Sequence, residues 1–174
     1  MENRVELSDS VVTIKPFDLS YAEEHLRGED EEQVKWLSGG KGTLEGVRNW
    51  ILKNQKYWQE DGPVFNFAIF ARDNNQLVGM VEANTDYHTL KGIEPGDANV
   101  SYGIYPFARG KGYVISAVNL ITNFLKTKGI KRAIIRVNPN NETSLKVPLR
   151  CGFQGSGTIT LKNDEALAYF TKEL

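Results

Sequence analysis

Tyr105-Pro106-Phe107-Ala108-Arg109-Gly110-Lys111-Gly112-Tyr113 joins a strand-like run to a helical one, and its reading decides the fold. Residues 99–105 read as a strand ended by Pro106. A helical pattern opens at about Gly112 and runs to Lys128, with Ala117, Ile121, Phe124 and Leu125 on one face. Lys126 and Lys128 suit the negative end of that helix, and Gly129 suits the left-handed position that stops it. A helix start leaves its first N–H groups unpaired and carries partial positive charge, so it receives phosphate oxygens. Gly110 and Gly112 present no side chain to block a ligand, while Arg109 and Lys111 add positive charge there.

Two familiar phosphate patterns fail on this turn. A Walker sequence counted from Gly103 meets Ala108 where its second glycine belongs, and Lys111 is followed by Gly112 rather than a hydroxyl residue. The dinucleotide pattern started at Gly110 and Gly112 has Ile115 in place of the third glycine. A purely structural tight turn is the plain alternative.

Outward from the turn, the elements alternate. Upstream, residues 64–72 and 76–84 flank Asp73-Asn74-Asn75 and read as a hairpin, followed by a polar loop over 86–97. Further back, residues 11–17 read as a first strand. Ser20 with Glu23 has the form of a capping box that opens a short helix through Leu26. Residues 29–37 read as a second helical stretch, and Thr43 as the cap of a third with Leu44, Val47, Ile51 and Trp58 on one face. Downstream come a strand over 130–137, a short helix over 141–150 and a closing hairpin of 158–161 with 166–171. Hairpins mixed with one crossover imply a mixed α/β sheet with helices packed on it.

Composition narrows the function. The 174 residues fit one domain, with 40% hydrophobic and 25% charged residues. A formal charge of −1 argues against nucleic-acid or membrane partners drawn by bulk charge. The first ten residues do not have the form of a signal peptide, and no apolar run nears the roughly 20 residues of a membrane span. The lone Cys151 forms no internal disulfide and fits a cytoplasmic setting; it reads as a small core residue.

Residues 98–106, Ala98-Asn99-Val100-Ser101-Tyr102-Gly103-Ile104-Tyr105-Pro106, with the turn that follows, resemble the central motif of the GNAT acetyltransferase superfamily. Its signature is R/Q-x-x-G-x-G/A; Arg109 and Gly112 match, and Val114 stands at the small last position. Asn138-Pro139-Asn140-Asn141-Glu142-Thr143-Ser144 and the later Cys151-Gly152-Phe153 resemble the branch that includes ribosomal-protein N-terminal acetyltransferases. The resemblance implies a largely antiparallel sheet with helices on both faces and splayed central strands. It implies acetyl-CoA as cosubstrate and no metal. The pyrophosphate would rest on the amides of Arg109, Gly110, Lys111, Gly112, Tyr113 and Val114. Ile104 and Tyr105 would face the pantetheine, with Asn138, Asn141 and Ser144 on its other side. A homodimer is common among similar proteins.

The implied reaction is attack of an amine on a thioester, which needs a proton acceptor and a proton donor. Asn99 stands where relatives often have a glutamate, and Pro148 where many have a tyrosine. Glu82, late in a strand next to the central one, is the candidate base; a structural ion pair is its other reading. Ser144 is the candidate donor to the thiolate, or else a hydroxyl satisfying helix backbone. The acceptor is an amine of a small molecule or of a protein N-terminus. Glu29, Asp30, Glu31, Glu32, Asp86 and Asp97 would make its entrance acidic. A CoA-binding regulatory module without catalysis is the competing reading.

Overall fold

The computed structural model describes residues 5–30 and 42–174. Its framework is one eight-stranded sheet: β1 (Leu7–Ser8), β2 (Val12–Pro16), β3 (Val64–Ala71), β4 (Leu77–Asn84), β5 (Asp97–Ile104), β6 (Arg132–Val137), β7 (Gln154–Thr160) and β8 (Ala166–Glu173). In space the order is β1-β2-β3-β4-β5-β6-β8-β7. Every neighbouring pair is antiparallel except β5 and β6. A parallel pair needs a crossover, here the helix of residues 113–127.

Alternation along β3 explains the two layers. Phe65, Phe67 and Ile69 share one core with Ala117, Val118, Ile121 and Leu125 of α3 (Tyr113–Thr127) and Val147 of α4 (Glu142–Arg150). Ala68 and Phe70 point the other way, to Ala22 of α1 (Ala22–Gly28) and Ile51 of α2 (Leu44–Gln59). Helices therefore cover both faces. Trp58 lies edge-on to Phe65 and Phe67, and Trp50 stacks on His25; Trp36 lies outside the described residues.

Two local readings change. Asp18, not Ser20, caps the first helical segment, because the chain makes a 3-10 turn at Leu19–Tyr21 before α1; the Asp18 carboxylate accepts from Ser20 N. α1 ends at Gly28 with Glu29 as its extended C-cap, and the separate helix anticipated over 29–37 lies, from residue 31 on, outside the described residues. The last hairpin starts earlier, at Gln154, as an exposed edge strand whose glycines gave no alternating pattern to read. Thr43 does cap α2, accepting from Gly46 N at 3.0 Å.

The sheet opens at its centre. β5 pairs with β6 only through Asp97↔Arg132, Ala98↔Ala133 and Asn99↔Ile134. Past that point β5 stays with β4 as far as Ile104, and β6 stays with β8 as far as Val137. The two strands diverge into a fork.

Candidate active site

A cleft of about 260 Å³ fills the fork and continues onto the start of α3. Of the cofactor residues named from the sequence, all except Tyr105 line it. Gly112 is the N-cap of α3, in the left-handed region at φ 78° and with no side chain capping the helix, so the first amides of α3 stay available. A Cβ on Gly110 or Gly112 would meet nothing within 4 Å, so the space over the turn is open. Both glycines are instead required by positive φ, 75° and 78°.

Main-chain direction along β5 sorts the fork. Tyr105 N–H donates to Val78 O at 2.9 Å, toward β4. Alternation then turns the N–H groups of Ile104 and Tyr102 toward the gap. The placement of Tyr105 beside the pantetheine is therefore corrected: its amide belongs to the sheet, and its ring faces α1. There the phenol lies 2.6 Å from His25 Nδ1, and Gly28 sits so close that a Cβ would fall 2.5 Å from the ring. Burial holds the imidazole down at about 4 and pushes the phenol up, so a neutral His25 and a protonated Tyr105 share this hydrogen bond.

On the α3/α4 face, Tyr102 and Ser144 meet. The Tyr102 hydroxyl lies 3.0 Å from Ser144 Oγ and 3.2 Å from Ser144 O. Burial raises the phenol to about 12, so it stays protonated at neutral pH. Sequence reading missed Tyr102, because only the fold carries β5 against the first turn of α4. Asn141 caps α4 and accepts from Ser144 N at 3.2 Å, while Asn138 O receives Asn141 N–H. The Asn-rich motif thus shapes one wall of the cleft by closing its own turn.

Glu82 occupies the opposite face. It is the register partner of Asn66 and of Ser101, and accepts from Asn66 Nδ2 at 2.8 Å. Desolvation raises its pKa, partly offset by that hydrogen bond. Glu82 does not line the cleft, so the two catalytic candidates stand on opposite sides of the sheet.

Several charges at the rim have partners within the protein. Arg109 forms a bidentate pair with Asp30 (2.8 and 3.1 Å) and donates from Nε to Ile104 O. Glu29 accepts from Gly42 N, Asp86 from His88 N and Thr89 Oγ1, and Asp97 from both ends of Arg132. Of the acids expected at the entrance, Asp30 and Asp97 are thus ion-paired, Glu29 and Asp86 keep their charge against neutral donors, and Glu31 and Glu32 lie outside the described residues. Cys151 is buried, its thiol pushed up to about 11, and His88 is an exposed loop residue.

The acetyltransferase (GNAT) domain model matches residues 12–154. The chain belongs to the GNAT acetyltransferase family. No curated protein matches it at a significant level. Solved GNAT-fold structures do. Ribosomal-protein-S5-alanine acetyltransferase from Vibrio fischeri superposes with a TM-score of 0.78 at 18% identity, over 97% of this chain and 96% of that one. RimJ of Mycobacterium smegmatis, solved with CoA-disulfide, gives 0.78 at 16% identity over 98% and 86%. The aminoglycoside acetyltransferase AAC(6')-Ib, solved with coenzyme A, gives 0.76 at 17% over 93% and 94%. At these identities the likeness concerns the fold, while the domain match makes this GNAT chain an acetyltransferase.

Proposed function

We propose that this acetyltransferase holds acetyl-CoA in the fork between β5 and β6 and passes the acetyl group to a primary amine arriving from the α1/α2 face. The observation that carries the reading is the end of the parallel ladder after Asn99↔Ile134, which leaves β5 main-chain groups facing a gap that leads to an uncapped helix start. Pantetheine amides would pair with Tyr102 and Ile104. The pyrophosphate would sit on the amides from Gly110 to Val114, with Lys111 beside it. Bound CoA in AAC(6')-Ib and RimJ supports this cosubstrate. Arg109, tied to Asp30 and Ile104 O, serves to fasten the turn to the end of α1.

The placement of proton carriers suits direct attack. An ammonium arriving on the α1/α2 face loses a proton to Glu82, directly or through water, and the amine nitrogen attacks the thioester carbonyl carbon. The tetrahedral adduct collapses with cleavage of the C–S bond. The adduct nitrogen gives up its second proton to water, and the leaving thiolate takes one from the Tyr102–Ser144 pair on the other face, which water reprotonates, giving amide and free CoA thiol.

Calorimetry with acetyl-CoA, followed by thiol release across an amine panel, tests the reading. Binding with amine-dependent thiol release is expected. A folded protein with no affinity for acetyl-CoA rejects it, and binding without release from any amine leaves the regulatory module as the better account.

A further inference from the structure

Arg136 is a half-buried guanidinium that lines the cleft and has no carboxylate partner among the described residues. Its Nε donates to Asn99 Oδ1 at 3.1 Å and its Nη1 to Lys91 O at 3.2 Å. Among the described residues no acidic group forms an ion pair with it, whereas Arg132, four residues earlier on the same face, is clamped by Asp97 at 2.9 and 2.6 Å. Arg136 is half-buried and lines the cleft, and desolvation depresses its pKa. A charge drawn partly out of water and met only by neutral oxygens is costly until an anion completes it. Two N–H groups are spent on positioning, and three, both on Nη2 and one on Nη1, remain to donate to an incoming carboxylate.

Register fixes what lies across from it. Asn66, Glu82 and Ser101 are successive cross-strand partners on the α1/α2 face. Asp97 and Arg132 are partners on that same face, so two-residue alternation puts Asn99, Ser101 and Arg136 there as well. Continued past Asn99↔Ile134, the parallel register would set Ser101 level with Arg136, and Arg136 is itself level with Tyr169 of β8. Glu82 and Arg136 thus stand at one height, on the two banks of the fork.

We infer that the acceptor is a small amine bearing its own carboxylate, an amino acid, with the carboxylate on Arg136 and the amine toward Glu82. Two strand steps span about 10 Å, somewhat more where the fork opens. That backbone separation puts the two side chains within reach of the amine and the carboxylate of one small molecule. At the rim, Asp30 and Asp97 are already ion-paired with Arg109 and Arg132, which lessens their pull on a polycationic acceptor. This inference rests on the proposed acetyl transfer and makes Arg136 its specificity-determining residue.

The test compares thiol release from acetyl-CoA with amino acids, their carboxamides and an aminoglycoside, in the wild type, Arg136→Lys and Arg136→Gln. Acetyl-CoA binding and thermal melts are measured alongside to show that each variant is folded and loaded. The wild type is expected to favour amino acids over their carboxamides by about tenfold or more in kcat/KM. Arg136→Gln should bring that ratio near one, chiefly through KM, and Arg136→Lys, with a point charge and no fork, should fall between. Equal or better use of carboxamides by the wild type overturns the inference. So does an equal loss on all acceptors in Arg136→Gln, which would mark a role toward the thioester. Loaded protein that releases no thiol with any amino acid overturns it too, whereas protein that cannot bind acetyl-CoA fails at the earlier step.

Discussion

Glu82 has its carboxylate against Asn66, whose side-chain oxygen is buried without a partner among the described residues. Burial keeps this carboxyl protonated to a higher pH than an ordinary glutamate. If it takes the proton from the acceptor, kcat/KM should rise with pH through a limb above the usual carboxylate range. Glu82→Gln should remove that limb and lower turnover about 100-fold, with acetyl-CoA affinity unchanged by calorimetry. Tyr102→Phe should lower kcat as well, by roughly 10- to 100-fold, because Ser144 loses the hydroxyl it shares; unchanged turnover removes the pair from thiolate protonation. Of these groups, Glu82 and Ser144 were visible in the sequence as polar residues at informative places. Tyr102 and Arg136 were not, since each gains its meaning from a partner strand or helix far along the chain, Ser144 for Tyr102 and Tyr169 for Arg136.

At the scale of elements, α1 is held to the end of β5 by an aromatic cluster. His25 stacks on Trp50 with 5.0 Å between centroids, Phe17 meets both edge-on, and Gly28 lets the helix lie directly on Tyr105. The imidazole is neutral in the folded state down to about pH 4, while the unfolded chain protonates it near 6.5. As pH falls through that window the unfolded state gains protons first, so this group withdraws stability, and above the window it has no effect. The melting temperature of the wild type should therefore drop more between pH 6.5 and 4 than that of His25→Gln. Equal slopes would mean the ring is not held neutral. Strands β3, β4, β5 and β6 and helices α2, α3 and α4 were legible because their apolar residues recur at the right period and Thr43, Asn141 and Gly129 mark their ends. The start of α1 was not. Two plausible caps, Asp18 and Ser20, stand two residues apart, and the 3-10 turn that chooses between them leaves no periodic trace.

The whole molecule joins two blocks of sheet along a short seam. Strands β1 to β5 form one block and β6 to β8 the other, with three register pairs between them and helices α3 and α4 packed across. That the central strands separate came from the family resemblance; where they part, after Asn99, follows from side-chain placement that periodicity does not record. A ligand bound only by the folded state at 100 times its Kd adds about 2.7 kcal/mol, which for a chain of this size is a rise of about 5–10 °C in Tm. Saturating CoA should produce that rise in the wild type. Gly112→Val, with a β-branched residue forced to positive φ at the mouth of the turn, should melt lower and gain little from CoA.

Three rungs are few for the middle of an eight-stranded sheet, and the ligand proposed for the gap would act as its missing mortar. Amide deuteration offers a way to watch this. Backbone sites bordering the seam, among them Tyr102, Ile104 and Arg136, should exchange quickly in the empty enzyme and slow together once CoA is added. The outer hairpin of β1 and β2, on the far border of the sheet, should exchange at the same rate throughout.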